Sequence, residues 1–176
     1  MMRGVMLLSG RARVLVSALL LVGVCCAHKR PVGDGGPLDL RLERSGGSAG
    51  GGDALDLQTL RGRPVMLWLF ATWCLPCQAE LRRVEKLAAA YRDHVVVWAV
   101  ALDREGDRLV RPFRQALGVA VPVALADEAL VLGTSALGRI PEVPHVILLD
   151  AQGRVLARFP SVKAPGLEPM LNQLLR

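Results

Sequence analysis

The sequence predicts an α/β fold with a central sheet covered by helices, and three stretches carry that prediction. Pro64-Val65-Met66-Leu67-Trp68-Leu69-Phe70 is an unbroken apolar run of the length of a strand buried on both faces. Leu81, Val84, Ala88 and Tyr91 then recur at three- and four-residue steps, while Glu80, Arg82, Arg83, Glu85 and Lys86 fill much of the remaining surface, as in an amphipathic helix. Val95-Val96-Val97-Trp98-Ala99-Val100-Ala101-Leu102 is a second apolar run. Strand, helix and strand in that order require a parallel crossover, which lays the helix over the sheet.

At 176 residues the chain allows one ordinary domain with extensions, and 52% hydrophobic residues supply a core. Part of that apolar content lies at the start. Arg3, Arg11 and Arg13 stand without an acid before Val14–Ala27, 14 uncharged and mostly apolar residues. A basic region followed by an apolar region too short to span a bilayer comfortably has the form of a secretory signal, or of a retained anchor if Val5-Met6-Leu7-Leu8 contributes. Cleavage after Ala27 would place Cys25 and Ala27 at the two small-residue positions. Leu20-Leu21-Val22-Gly23-Val24-Cys25-Cys26 also resembles a loose lipobox, with lipidation of a cysteine as the consequence. A third reading makes Cys25 and Cys26 small apolar members of the signal core. Without residues 1–27 the chain has 19 basic and 16 acidic side chains, so the pI of 9.8 does not mark a nucleic-acid binder.

Residues 28–36 are polar and rich in Gly and Pro, a flexible tether to a folded part spanning 37–176. Leu38–Glu43 alternates as a half-buried strand does. Ser45–Gly52 fits either an interdomain linker or the loop of an N-terminal hairpin, and Ala54-Leu55-Asp56-Leu57 beyond it favours the hairpin. Arg108–Leu117 reads as a helix ended by Gly118. Pro122 restricts Val119–Leu125 to an edge or loop-like strand. Asp127 caps a short helix running to about Gly133. Val146–Asp150 and Val155–Phe159 form an antiparallel hairpin around Gln152-Gly153. Gly166–Leu175 closes the chain as a helix with Leu167, Met170, Leu171 and Leu174 on its apolar face.

Between the first strand and its helix stands Trp73-Cys74-Leu75-Pro76-Cys77. Two cysteines at this spacing, at a helix N-terminus, read as a redox pair more than a metal knuckle. Unpaired N–H groups and the positive end of the helix dipole favour a thiolate there. Cys74, at the mouth, is the expected nucleophile; Cys77, one turn further in, is the expected resolving thiol. Pro76 suits the first turn, where its missing N–H costs little. Beyond residues 1–27 these are the only two cysteines, so the pair is free for chemistry and not part of a disulfide framework. Trp73 beside it is a candidate partner contact, whereas Trp68 and Trp98 lie in strand runs and read as core.

Phe70-Ala71-Thr72-Trp73-Cys74-Leu75-Pro76-Cys77 with Glu80, followed by Val143-Pro144-His145-Val146-Ile147-Leu148-Leu149-Asp150 and Gly153, resembles the TlpA/ResA-like branch of the thioredoxin superfamily over about residues 37–176. The resemblance implies a thioredoxin fold with an N-terminal β-hairpin extension and a central βα insertion, roughly residues 103–140. It implies an exported bacterial thiol–disulfide oxidoreductase, periplasmic or at the outer face of the cytoplasmic membrane, that reduces disulfides of exported proteins, apocytochrome c-like ones among them. Its partners would be protein disulfides or dithiols and a membrane electron donor; it would work as a monomer, with no metal and no cofactor beyond the cysteine pair.

Pro144 matches the family's cis-proline opposite the active disulfide, and Val143 before it would offer its backbone to a bound substrate. The residue after this proline is usually Thr; here it is His145. That histidine either stabilises the thiolate and shuttles protons or, as the first residue of a strand, points away. Glu80 matches an acidic residue placed near the cysteines. It either turns inward, to raise the thiol pKa or accept a proton from Cys77, or remains a solvated helix-face carboxylate. Other readings have less behind them. Zinc needs about four ligands, and His28, His94 and His145 form no second paired motif. A copper chaperone on the same fold spaces its cysteines more widely, and the Pro/Thr setting of a peroxidatic cysteine is absent.

Overall fold

The computed structural model describes residues 36–46 and 54–175. The leader, nearly all of the tether and most of the Ser45–Gly52 loop lie outside the described residues. Within them are β1 (Arg41–Leu42), β2 (Leu55–Asp56), β3 (Val65–Phe70), α1 (Leu75–Ala90), β4 (Val96–Ala101), α2 (Asp107–Leu117), β5 (Val123–Leu125), α3 (Glu128–Leu132), β6 (His145–Leu149), β7 (Val155–Phe159) and α4 (Leu167–Gln173). No described helix is long and apolar enough to cross a membrane.

A five-stranded sheet in the order β5-β4-β3-β6-β7 forms the centre. β3 is its middle strand, which is why all six of its residues are buried. It runs parallel to β4, with Phe70 opposite Ala101, and antiparallel to β6, with Leu69 opposite His145. The crossovers β3–α1–β4 and β4–α2–β5 advance in the same direction, and right-handed crossovers of that kind put both helices on one face. On that face Met66, Trp68, Phe70, Val146 and Leu148 pack with Val84, Val110, Leu167 and Leu171 from α1, α2 and α4. Trp68 and Phe70, two residues apart on β3, stack with ring centroids 4.8 Å apart. The opposite face carries Leu67, Leu69, Trp98, Val100, Ile147 and Leu149, covered by Leu42, Leu55 and Leu57 of the N-terminal hairpin and by Leu130 and Leu137 of the insertion. This is the thioredoxin fold with the expected hairpin and βα insertion.

Local signals set most of the boundaries. Gly118 ends α2 in the left-handed conformation, φ 60°, where its N–H meets the carbonyls of Arg114 and Gln115. Asp127 caps α3 by accepting a hydrogen bond from Leu130 N at 2.8 Å. The first strand is shorter than its alternation predicts, because the segment changes partners along its length. Leu38 N donates to Gly153 O, Arg41 and Leu42 join β2, and Glu43–Ser45 passes to the outer edge of β5. There Leu125 N donates to Glu43 O and Ser45 N to Val123 O, both at 2.8 Å.

Candidate active site

β3 delivers the chain to the C-terminal end of the sheet, and α1 starts five residues later. Cys74 is the N-cap of α1: its backbone is extended (φ −82°, ψ 99°) and its sulfur accepts a hydrogen bond from Cys77 N at 3.1 Å. Pro76 lies in the first turn, where the helix needs no N–H. Cys74 and Cys77 are joined in a disulfide with their Cα atoms 5.2 Å apart. Cys77 is 0% exposed and Cys74 4%. The surface beside the pair is apolar: Trp73 is 71% exposed and Leu75 73%. The sequence pointed to Trp73 but not to Leu75, whose place at the start of the helix, facing away from the sheet, has no periodic signature.

The loop before β6 supplies the opposite wall. The Val143–Pro144 bond is cis, and the Val143 carbonyl oxygen stands 3.6 Å from Cys74 Sγ. As a disulfide sulfur, Sγ carries no proton, so this is a contact; a Cys74 thiol at the same place has an acceptor waiting.

Glu80 turns inward. It is buried, and its carboxylate accepts from the Ser161 hydroxyl and, at 3.3 Å, from Val162 N. Val162 belongs to the same core cluster as both cysteines, so the carboxylate lies on their side of the sheet, one helical turn beyond Cys77.

His145 is not brought to the disulfide. It opposes Leu69 in the β3–β6 register and alternates with Val146, which puts it on the face covered by the hairpin and insertion, across the sheet from the cysteines. It is buried, with no hydrogen-bond partner for either ring nitrogen. Burial pushes its pKa down and the Arg158 guanidinium pushes the same way, with Glu142 opposing.

Sequence reasoning missed Asp103. This buried carboxylate follows β4 and receives the Thr72 backbone N–H at 3.0 Å and the Thr72 hydroxyl at 2.5 Å. The Thr72 carbonyl in turn accepts from Gln78 Nε2 at 2.9 Å. The available signal was an acid directly after a buried parallel strand, at the sheet end where the cysteines sit. Among the described residues, no three His, Cys, Asp or Glu side chains are grouped to hold a metal ion.

A family profile described as Redoxin matches residues 39–175. The chain is 32% identical over 109 residues to the thiol-disulfide oxidoreductase ResA of Bacillus anthracis, covering 61% of each chain. To ResA of Bacillus cereus (strain ATCC 10987 / NRS 248) it is 31% identical over 126 residues, covering 71% of this chain and 69% of that one. Matches to several of these curated relatives therefore span only about three-fifths of their length. Among solved structures, the thioredoxin domain of a thiol-disulfide oxidoreductase from Bacteroides vulgatus superposes with a TM-score of 0.64 at 18% identity, covering 80% of this chain and 98% of that one.

Proposed function

The chain belongs to the redoxin family, among the relatives of ResA, and from that premise we propose that it is an extracytoplasmic thiol–disulfide oxidoreductase working through Cys74 and Cys77. The observation that carries the reading is the asymmetric disulfide at the mouth of α1, with Cys74 as N-cap and Cys77 fully buried behind it. In the reducing direction, Cys74 thiolate attacks one sulfur of a partner disulfide and expels the other as thiolate. Cys77 thiolate then attacks Cys74 Sγ in the mixed disulfide, releases the second partner thiolate and closes the Cys74–Cys77 bond. Two electrons pass to the partner, and an external dithiol must return them.

Cys77 N and the N-terminus of α1 favour the Cys74 thiolate. Glu80 serves as the proton acceptor for Cys77 or as a modulator of its pKa. Trp73 and Leu75 give partners an apolar surface, and Val143 and cis-Pro144 give them a backbone edge. His145 lies on the opposite face of the sheet from the cysteines, which supports reading it as a strand residue that points away. The basic-then-apolar leader supports export, by cleavage, lipidation or a retained anchor, to the periplasm or the outer face of the cytoplasmic membrane. Substrates there are disulfides of exported proteins, with apocytochrome c-like chains in that class, and a membrane dithiol donor recharges the monomer. No observation favours the copper-chaperone alternative.

The deciding experiment is Cys77→Ala in the exporting host. Disulfide-linked partners should accumulate on Cys74 and disappear in Cys74→Ala/Cys77→Ala. A folded Cys77→Ala protein that captures no partner overturns the mechanism.

A further inference from the structure

We propose that Asp103 is a positioning residue for the redox pair: acting through Thr72, it holds Cys74 where Cys77 N can stabilise its thiolate. This rests on the reading of Cys74 as the nucleophile. Thr72 is gripped on both sides. Its N–H and hydroxyl go to the Asp103 carboxylate and its carbonyl receives Gln78 Nε2 from α1, so the bonded residues bracket the Cys74–Cys77 motif. Asp103 is itself fixed, because β4 runs in register beside β3 as far as Ala101, Leu102 N donates to Phe70 O at 2.8 Å, and Gly106 N donates to Asp103 O at 3.0 Å.

Burying a carboxylate is costly unless it is well hydrogen-bonded, and the side-chain bonds found for Asp103 all come from one residue of the loop before Cys74. None of the bonds on Thr72 involves a sulfur. Opening the disulfide therefore leaves them intact, and the loop keeps the geometry in which Cys77 N points at Cys74 Sγ. What the carboxylate secures is the placement of Cys74 in the dithiol state, when the covalent bond no longer does so.

The test is the pH dependence of Cys74 alkylation by iodoacetamide in the reduced full-length protein, together with the reduction potential of the pair. Thr72→Val removes the hydroxyl with little change of shape, and Asp103→Ala removes the acceptor. Both should raise the Cys74 pKa, by about one unit in Asp103→Ala and less in Thr72→Val, and make the pair more reducing. Thr72→Ser should match wild type. Asp103→Asn, which keeps an acceptor oxygen without the charge, should recover most of the shift. A folded Thr72→Val protein with wild-type pKa and potential overturns the proposal, and so does a fall in pKa in Asp103→Ala, which would mean that the charge acts on the sulfur directly. If Asp103→Ala does not fold, Thr72→Val still decides. Alkylation needs no substrate, so a failed partner trap in Cys77→Ala and a failed pKa shift here are separate results.

Discussion

Glu80 and Ser161 lie 81 residues apart, yet the Ser161 hydroxyl donates directly to the Glu80 carboxylate. With Val162 N on the other oxygen, the pair pins α1 to the loop that leads into α4, behind the cysteines. Replacing Glu80 with Leu leaves that buried N–H without a partner, at a cost of about 1–3 kcal/mol. Ser161→Ala leaves a buried Glu80 oxygen without its donor and should also cost about 1–3 kcal/mol. Urea unfolding of the oxidised proteins measures both. Glu80→Gln retains acceptance at one oxygen, so it should be the most stable of the Glu80 variants while slowing resolution of the mixed disulfide. Equal resolution rates in Glu80→Gln and wild type would remove Glu80 from the proton transfer.

His145 makes stability depend on pH in a defined window. Burial, reinforced by Arg158 and opposed by Glu142, holds its folded-state pKa below the ordinary 6.5. As pH falls through 6.5 the unfolded chain takes up a proton that the folded protein refuses, so stability is lost from there down to the folded pKa. The slope cannot exceed about 1.4 kcal/mol per pH unit for one group, and above 6.5 the effect vanishes. His145→Thr should flatten that window. Urea midpoints at pH 7.5, 6.5 and 5.5 would show wild type falling more steeply than the variant; parallel curves count against it.

Trp73 offers a cleaner separation of binding from folding. At 71% exposure it supports little of the core, so Trp73→Ala should change stability by no more than about 0.5 kcal/mol. If the proposed apolar contact beside Cys74 captures partners, the KM for a protein disulfide should rise several-fold with little change in kcat. Unaltered KM would place the docking surface elsewhere.

Much of the fold could be read from local pattern. Continuous apolar runs gave the strands at Val65–Phe70 and Val96–Ala101, three- and four-residue spacing gave α1, and Gly118, Asp127 and Gly133 marked helix ends because each acts on its immediate neighbours. The Cys74–Cys77 spacing was equally plain. Features set by distant partners were not. The direction of His145 depends on its register with Leu69, 76 positions earlier, and the resemblance left both directions open. Asp103 meets Thr72 only because parallel pairing sets the end of β4 beside it. The Leu38–Glu43 alternation showed one buried face but not that three different partners divide the strand between them.

That divided strand has a consequence for life at high local concentration. The edge of a sheet is a row of unsatisfied amides and carbonyls, a template on which a second chain can grow. Glu43–Ser45 occupies that row along β5 with the protein's own backbone. The outer groups of β5 are thereby satisfied within the molecule, and strand-by-strand addition on this flank would have to start from a three-residue segment in place of the edge of the central sheet.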